Sequence, residues 1–392
     1  MCVGFDMEAA LSMLAIKPSH STIRCSACGA ANMPSSLFCV RCTAPLTVVA
    51  LGDLTDDDQK ICLSALFQVL ADALKSEHPS VPTSHDQSLW KAYLSAFWLR
   101  PETALILYAE ALAIRSLTYL AGERWLDLGC GDGIHAALAH DWRFDITFDA
   151  FQSLDLSAAD IYHHWNPADF NANITHRGRP VAHGIDIKDT AVARSKALGI
   201  FSTTQQADAT RLPLPDRSVH TIFSNMLRDL GKPLPHALDE CRRVMRDDGI
   251  LLISAMTPAY TRNLYFAPAA RNAQAEGDTE CAEELLRLDR GRSIFCQQQL
   301  SIDAWSDLLS KHRLKIMTVR PIAGPEIIRF WDIGLRPFSI PLLQQRKTWQ
   351  DAGVLPIIKP GIVDFLARTL EPLVRRLTAG EPCMNLLAVS KA

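Results

Sequence analysis

The chain has 392 residues, 48% of them hydrophobic and 21% charged, with a formal net charge of −3. That is enough apolar sequence for packed cores and enough length for about two to three domains, which argues against wholesale disorder. The charge leaves no global footprint for nucleic acid, no stretch reaches the roughly 18 apolar residues of a membrane span, and Asp6 and Glu8 make a poor signal peptide, so a cytoplasmic protein is expected.

Four of the eleven cysteines form two CxxC pairs, Cys25 with Cys28 and Cys39 with Cys42, ten residues apart. Each CxxC is a tight turn that aims two thiolates at one point, and two such turns complete a tetrahedral zinc site. Four thiolates close the coordination shell, so the expected zinc is structural. Residues 22–46 resemble the short zinc-ribbon domains found at many N-termini. With so small a core, the metal would supply most of the folding free energy. Arg24 and Arg41 are the ribbon's only basic residues and Phe38 its only aromatic, thin equipment for RNA or DNA. A contact with another protein, or docking onto the chain itself, is the expected role.

Residues 54–120 read as a helical segment. Thr55 or Asp56 is a plausible N-cap for a helix carrying Ile61, Leu63, Ala65, Leu66, Val69, Leu70 and Leu74. After a Pro-rich break, Trp90, Tyr93, Leu94, Phe97 and Trp98 form a second helical stretch. A third runs from about Thr103 to Leu120, with Ala104, Leu107, Tyr108, Ala111, Leu112 and Ile114 on one side. Arg100, beside these aromatics, could hold a carboxylate or phosphate.

Residues 125–133, WLDLGCGDG, carry the sharpest signal. Trp125 to Leu128 read as a buried strand and Ile134 to Ala139 as the start of a helix, with Gly129, Gly131 and Gly133 between. Such a turn lets the backbone approach a nucleotide-like ligand closely. Asp127 at the strand end is badly placed for a phosphate-bearing dinucleotide. It suits a ligand with an amine, a ribose and an adenine, which is S-adenosylmethionine.

Two acidic residues compete for the ribose. Asp149 ends an apolar run (145–151) twenty-two residues beyond Asp127. Asp186 ends a strand (GID) that an immediate helix follows, capped by Asp189 or Thr190 and stopped by Gly199. The second is the required geometry, so Asp186 is preferred. Residues 150–182, with Tyr162, His163, His164 and Trp165, then become an insertion. Further on, a strand ends at Asp208, placed for the adenine amino group, and residues 218–226 form a fourth strand ending at Ser224-Asn225. A helix carries Leu234, Ala237, Leu238, Cys241, Val244 and Met245, and Asp248-Gly249 turns into a fifth strand over 250–256. A helix over 301–312, a strand LKIMTVRPI and the C-terminal CMNLLAVSKA complete the alternation of a doubly wound α/β sheet.

LDLGCGDG, GIDI, ADATRLPLPD, TIFSN, ECRRVMRDDG and ILLIS, across residues 121–257, together resemble the class I S-adenosylmethionine-dependent methyltransferases, the "type 11" group in particular. The resemblance implies a Rossmann-like sheet of seven strands with the last antiparallel. It places Asp127, Gly129, Gly131, Gly133, Asp186, Asp208 and Asn225 around the cofactor. The methyltransferase domain would span 121–392, with insertions at about 150–182, 259–300 and 326–382. FWLRPE (97–102) and WDIGLRP (331–337) are similar to stretches in a subset of such proteins sometimes associated with glycan or other cell-envelope biosynthesis. His220, Asp247-Asp248-Gly249 and Leu227-Arg228-Asp229 depart from the group's usual residues, and the absence of an NPPY or DPPY tetrad at Ser224-Asn225 argues against methylation of a base amino group.

Methyl transfer to a hydroxyl needs a positioned acceptor and a general base. His163, His164, His183 and Asp229 are candidates, none singled out. A helix with Ile362, Phe365, Leu366, Leu370, Leu373, Val374 and Leu377 on one side, flanked by Arg368, Arg375 and Arg376, reads first as core or dimer interface and only secondarily as a peripheral membrane contact. The expected activity is methylation of a small-molecule or glycan-type acceptor at oxygen. An RNA methyltransferase docking through the ribbon and a non-catalytic scaffold are the competing readings.

Overall fold

A computed structural model of the chain describes residues 23–24, 31–32, 55–75, 86–151, 170, 172–230, 232–289, 292–295, 299–334 and 339–392. Ile23–Arg24 and Ala31–Asn32 pair antiparallel, Ile23 opposite Asn32. The four CxxC cysteines between and beyond them lie outside the described residues, as do His163 and His164.

Among the described residues three α-helices precede the sheet. In α1 (Asp56–Lys75), Thr55 Oγ1 accepts the Asp58 N–H at 3.2 Å while Asp58 Oδ2 accepts the Thr55 N–H at 2.6 Å, a reciprocal cap that fixes the helix start. Cys62, Ala65, Leu66, Val69 and Ala73 recur at helical spacing and are buried. Asp86 caps α2 (Gln87–Ala96) through the Leu89 N–H. Pro101 opens α3 (Pro101–Arg115), where a missing N–H costs nothing. This helix stops at Arg115, short of the expected Leu120, because the chain tightens into a 3-10 turn at Thr118–Leu120. It is buried on nearly every side, packed against α2 and against the sheet.

The sheet has seven strands: β1 (Trp125–Leu128), β2 (Val181–Asp186), β3 (Phe201–Gln206), β4 (Val219–Ser224), β5 (Met245–Met256), β6 (Leu314–Ala323) and β7 (Met384–Lys391). Their order is β3-β2-β1-β4-β5-β7-β6. The first five run parallel, and β7 enters antiparallel between β5 and β6, with Leu386 opposite Ser254 and Val319 opposite Leu387. Alternation along the central strands feeds two cores. Ile250, Leu252, Leu386 and Ala388 face the N-terminal helices, whereas Leu251, Ile253, Leu387 and Val389 face α6 (Leu234–Val244) and α9 (Ile302–Lys311). The short helix α4 (Ile134–Ala139) follows β1, and α5 (Asp189–Leu198) follows β2.

Three expectations need correction. Residues 145–151 are turns, since Asp145 Oδ1 accepts both the Thr147 N–H and its hydroxyl, at 2.9 and 2.6 Å, and so takes the backbone away from a ladder. Met245 belongs to β5 and not to the preceding helix. That strand starts before Asp248-Gly249 and absorbs them in an irregularity, where Val219 pairs with Met245 but Thr221 with Ile250. In the C-terminal stripe Phe365 is exposed, and Val363 and Ala367 are buried in its place, beside Leu370, Leu373, Val374 and Leu377. The stripe is therefore mainly core.

Helices fill the segments after β5, with α7 (Phe266–Glu276) and α8 (Thr279–Asp289), and between β6 and β7, with α10 (Pro325–Ile333), α11 (Ser339–Asp351) and α12 (Leu355–Thr369). Among the described residues no helix is long and apolar enough to cross a membrane.

Candidate functional site

The turn from β1 into α4 is built for backbone access. Gly129 has φ +80° and Gly131 φ +56°, in the left-handed region that disfavours residues with a Cβ. A Cβ on Gly129 would meet Met226 Cγ at 2.4 Å, whereas a Cβ on Gly131 would meet nothing within 4 Å. Gly131 thus borders open space at the carboxyl end of the sheet, beside the end of β2. Strand order reverses between β1 and β4, which is where open α/β sheets bind ligands.

The neighbouring strand holds this turn in place. The Gly129 and Cys130 N–H groups both donate to the Ile185 carbonyl, at 2.7 and 3.0 Å. Asp186 Oδ2 then accepts the Gly131 N–H at 2.8 Å, and Oδ1 the Lys188 N–H at 2.9 Å. An ionised carboxylate offers about four acceptor sites, so both oxygens keep capacity for ligand hydroxyls.

Asp127 is buried at the end of β1, and among the described residues its carboxylate accepts no hydrogen bond. Burial pushes it up to about 7, against an opposing His135 and with Asp186 and Glu110 adding to the rise. A carboxylate in this state is relieved by a cation. Asn225, just past β4, donates from Nδ2 to Glu110 Oε2 at 3.4 Å. Asp208, past β3, is exposed and accepts the Thr210 N–H and hydroxyl at 2.8 Å each. Asp127, Asp186 and Asn225 therefore end three adjacent strands, β1, β2 and β4, around the glycine turn, with Asp208 beyond β3 at the sheet edge. Open space at Gly131 and an unpartnered buried carboxylate beside it fit a ligand with a cationic end and a hydroxylated ring.

Asp149 has other work. It is fully buried, and Oδ2 accepts from Trp98 Nε1 at 3.0 Å and Arg346 Nε at 2.9 Å, while Oδ1 accepts the Phe151 N–H at 2.7 Å. Arg100 pairs with buried Glu102 at 3.2 Å. His183 lies within β2, earlier than the strand end, with Nδ1 2.7 Å from Thr203 Oγ1. Burial, with Arg124 adding, lowers its pKa. Asp229 is buried and pushed up to about 6 by that burial, against Arg228.

Sequence reasoning missed a polar network beside the turn. Glu110 on α3 has Oε2 3.0 Å from His135 Nε2, an ion-pair distance without hydrogen-bond alignment. Tyr93 on α2 brings its hydroxyl 3.0 Å from His135 Nδ1. Arg228 Nη1 donates to Ser254 Oγ at 2.8 Å and lies 3.9 Å from Glu110 Oε1. The available signal was a glutamate inside the otherwise apolar run ALILYAEALAI, since a charge on an all-round apolar helix must be partnered.

Residues 167–253 match a family model described as "Methyltransferase domain". Over 77 residues the chain is 38% identical to a protein of Coxiella burnetii named malonyl-[acyl-carrier protein] O-methyltransferase 1, covering 20% of this chain and 27% of that one. Over 160 residues it is 29% identical to a malonyl-[acyl-carrier protein] O-methyltransferase of Methylovorus sp., covering 40% of this chain and 44% of that one. The chain thus spans less than half the length of either relative. A crystal structure of an S-adenosylmethionine-dependent methyltransferase from Mesorhizobium loti is 16% identical, with a TM-score of 0.35, covering 72% of this chain and 97% of that one.

Proposed function

We propose that the chain is an S-adenosylmethionine-dependent methyltransferase that methylates an oxygen of a small acceptor. The observation that carries this reading is the ligation of the Gly131 N–H by Asp186 at 2.8 Å, which joins the open glycine turn to an acid at the end of the adjacent strand. In that reading Asp186 takes the ribose hydroxyls, Asp127 faces the amino-acid end, Asp208 lies toward the adenine and Asn225 stands at the reacting end. S-adenosylmethionine would supply an electrophilic methyl on a sulfonium, and the protein's part is to position the acceptor and exclude water. The names of the two malonyl-carrier relatives favour transfer to oxygen. A malonyl carboxylate is ionised at neutral pH and needs no base. A glycan hydroxyl does, so the two acceptors differ in what they demand of the site.

Titration calorimetry with S-adenosylmethionine on wild type, Asp127→Ala, Asp149→Ala and Asp186→Ala tests the cofactor assignment. Binding is expected to be lost with Asp127→Ala and Asp186→Ala and kept in folded Asp149→Ala; loss at Asp149 alone sinks it. Radiolabelled methyl transfer to malonyl thioesters and to glycans then separates the acceptor classes. The domain layout belongs to the same proposal: a ribbon over 22–46 with structural zinc on Cys25, Cys28, Cys39 and Cys42, a contact surface for a protein partner, ahead of the helical segment and the catalytic domain. Metal analysis of purified protein should find one zinc per chain, and absence of stoichiometric zinc removes this part alone.

A further inference from the structure

Helix α3 brings to the site a carboxylate that the strand-end residues do not account for. Glu110 is 1% exposed, among apolar neighbours on its own helix. A buried carboxylate is tolerated only with close partners, and those of Glu110 come from three other elements. They are Asn225 after β4, His135 on α4, and Ser254 on β5, with Arg228 further off. Burial works against its ionised form. His135, Arg228 and the Ser254 hydrogen bond outweigh that and hold it below the ordinary carboxylate range.

The charge balance around it is informative. Asp127 from β1, Asp186 from β2 and Glu110 from α3 converge near the glycine turn. Arg228, the permanent cation beside Glu110, also lies 3.7 Å from Asp229 Oδ2. Glu110 thus shares Arg228 with Asp229 and has His135 at ion-pair distance, in a low-dielectric setting where charge acts over several ångströms. Methyl transfer changes the donor from a sulfonium cation into a neutral thioether. A fixed anion behind the reacting end therefore discriminates between the two.

We propose that Glu110 is the positioning carboxylate of the methyl-donor end, fixing Asn225 past the end of β4 and setting a negative charge behind it that favours the sulfonium over the thioether. This rests on the reading that the site binds S-adenosylmethionine. Glu110 acts through Asn225 and through space, and it touches neither ligand. Tyr93 holds the His135 ring from α2, so the segment before the sheet sets the electrostatics of the cofactor end.

Calorimetry on the full chain with S-adenosylmethionine and S-adenosylhomocysteine tests this, with thermal melts as the check on folding. In Glu110→Gln, which keeps an acceptor for Asn225, the affinity ratio of sulfonium to thioether should fall about tenfold while thioether binding changes little. In Arg228→Met, which removes the nearby cation, the ratio should rise. A purely structural role weakens both ligands equally and leaves the ratio unmoved, and that result in folded Glu110→Gln overturns the proposal. If Glu110→Gln does not fold, the Arg228→Met ratio decides: a rise supports the proposal and an unchanged ratio overturns it. Wild-type protein that binds neither ligand overturns the cofactor reading and this proposal together.

Discussion

Gly129 and Gly131 share a backbone region but not a neighbourhood, and alanine should separate them. At Gly131 the added methyl meets open space, so Gly131→Ala should cost about 1 kcal/mol of left-handed strain and show its main effect as weakened cofactor binding. At Gly129 the same methyl also drives into Met226, so the stability loss should be the larger of the two. Chemical denaturation and calorimetry on both variants check this; equal stability losses would contradict it. Asp127 gives a pH signature. Its folded pKa lies near 7, above the unfolded value near 4, so the folded state holds a proton that the unfolded state has lost between those limits. Stability should therefore fall as pH rises from about 4 to 7. Asp127→Asn should be more stable than wild type at pH 8, by roughly 1–3 kcal/mol, with the gain vanishing near pH 4. A melt series that shows no pH-dependent gain would count against burial as the cause. The two glycines and Asp127 were legible in the sequence because a positive-φ turn and a strand-end acid are local patterns. Glu110 and His135 were not, since their meeting depends on how α3 crosses the sheet.

At the scale of elements, Asp149 lies in a packed turn and not at a strand end. Its distance from Asp127 in the chain suits a ribose acid, and the run before it is apolar. Phe148, Ala150 and Phe151 are buried without making a strand: Phe148 stacks on Phe144 at 4.1 Å, and the Ala150 N–H donates to the Ala96 carbonyl on α2. Hydrophobicity alone does not separate a strand from a packed turn. What the segment builds is a knot in which Trp98, Arg346 and Asp149 meet, and buried Lys359 on α12 donates to the Phe148 carbonyl. Burial lowers Lys359 to about 8, and Asp149 opposes that fall. Asp149→Ala would strip both cations of their acid, so a loss of about 3–5 kcal/mol is expected, with cofactor affinity retained in the folded fraction. A melt unchanged from wild type would show that the knot is dispensable. The C-terminal stripe teaches a related lesson. Its period was legible, but the buried face of α12 runs through Lys359, Val363 and Ala367, so Phe365, two residues from each of the last two, points away from it.

For the molecule as a whole, the strand sequence was readable because β1, β2 and β4 are short and lead into helix starts, and such units have few ways to pack; the edge strand β3 is polar and runs on to β4 without a helix. How the additions join the sheet was not readable, because those contacts are long-range. The segment over 54–120, expected as a stretch preceding the core, is inseparable from it in space. Leu105 and Tyr108 of α3 lie in the core cluster that Leu252 and Leu386 of the sheet also enter. Asp58 of α1, fully buried, pairs with Arg287 of α8 across the insertion after β5. Removing residues 1–120 would expose that apolar face and leave Arg287 without its acid. The fragment 121–392 should therefore fail to give a cooperative melt, whereas the full chain should unfold its helices and sheet in one transition by calorimetry. A fragment that is soluble, melts within a few degrees of the full chain and binds S-adenosylmethionine unchanged would show the opposite: that the helices are an attachment, and that Glu110 has no part in the site.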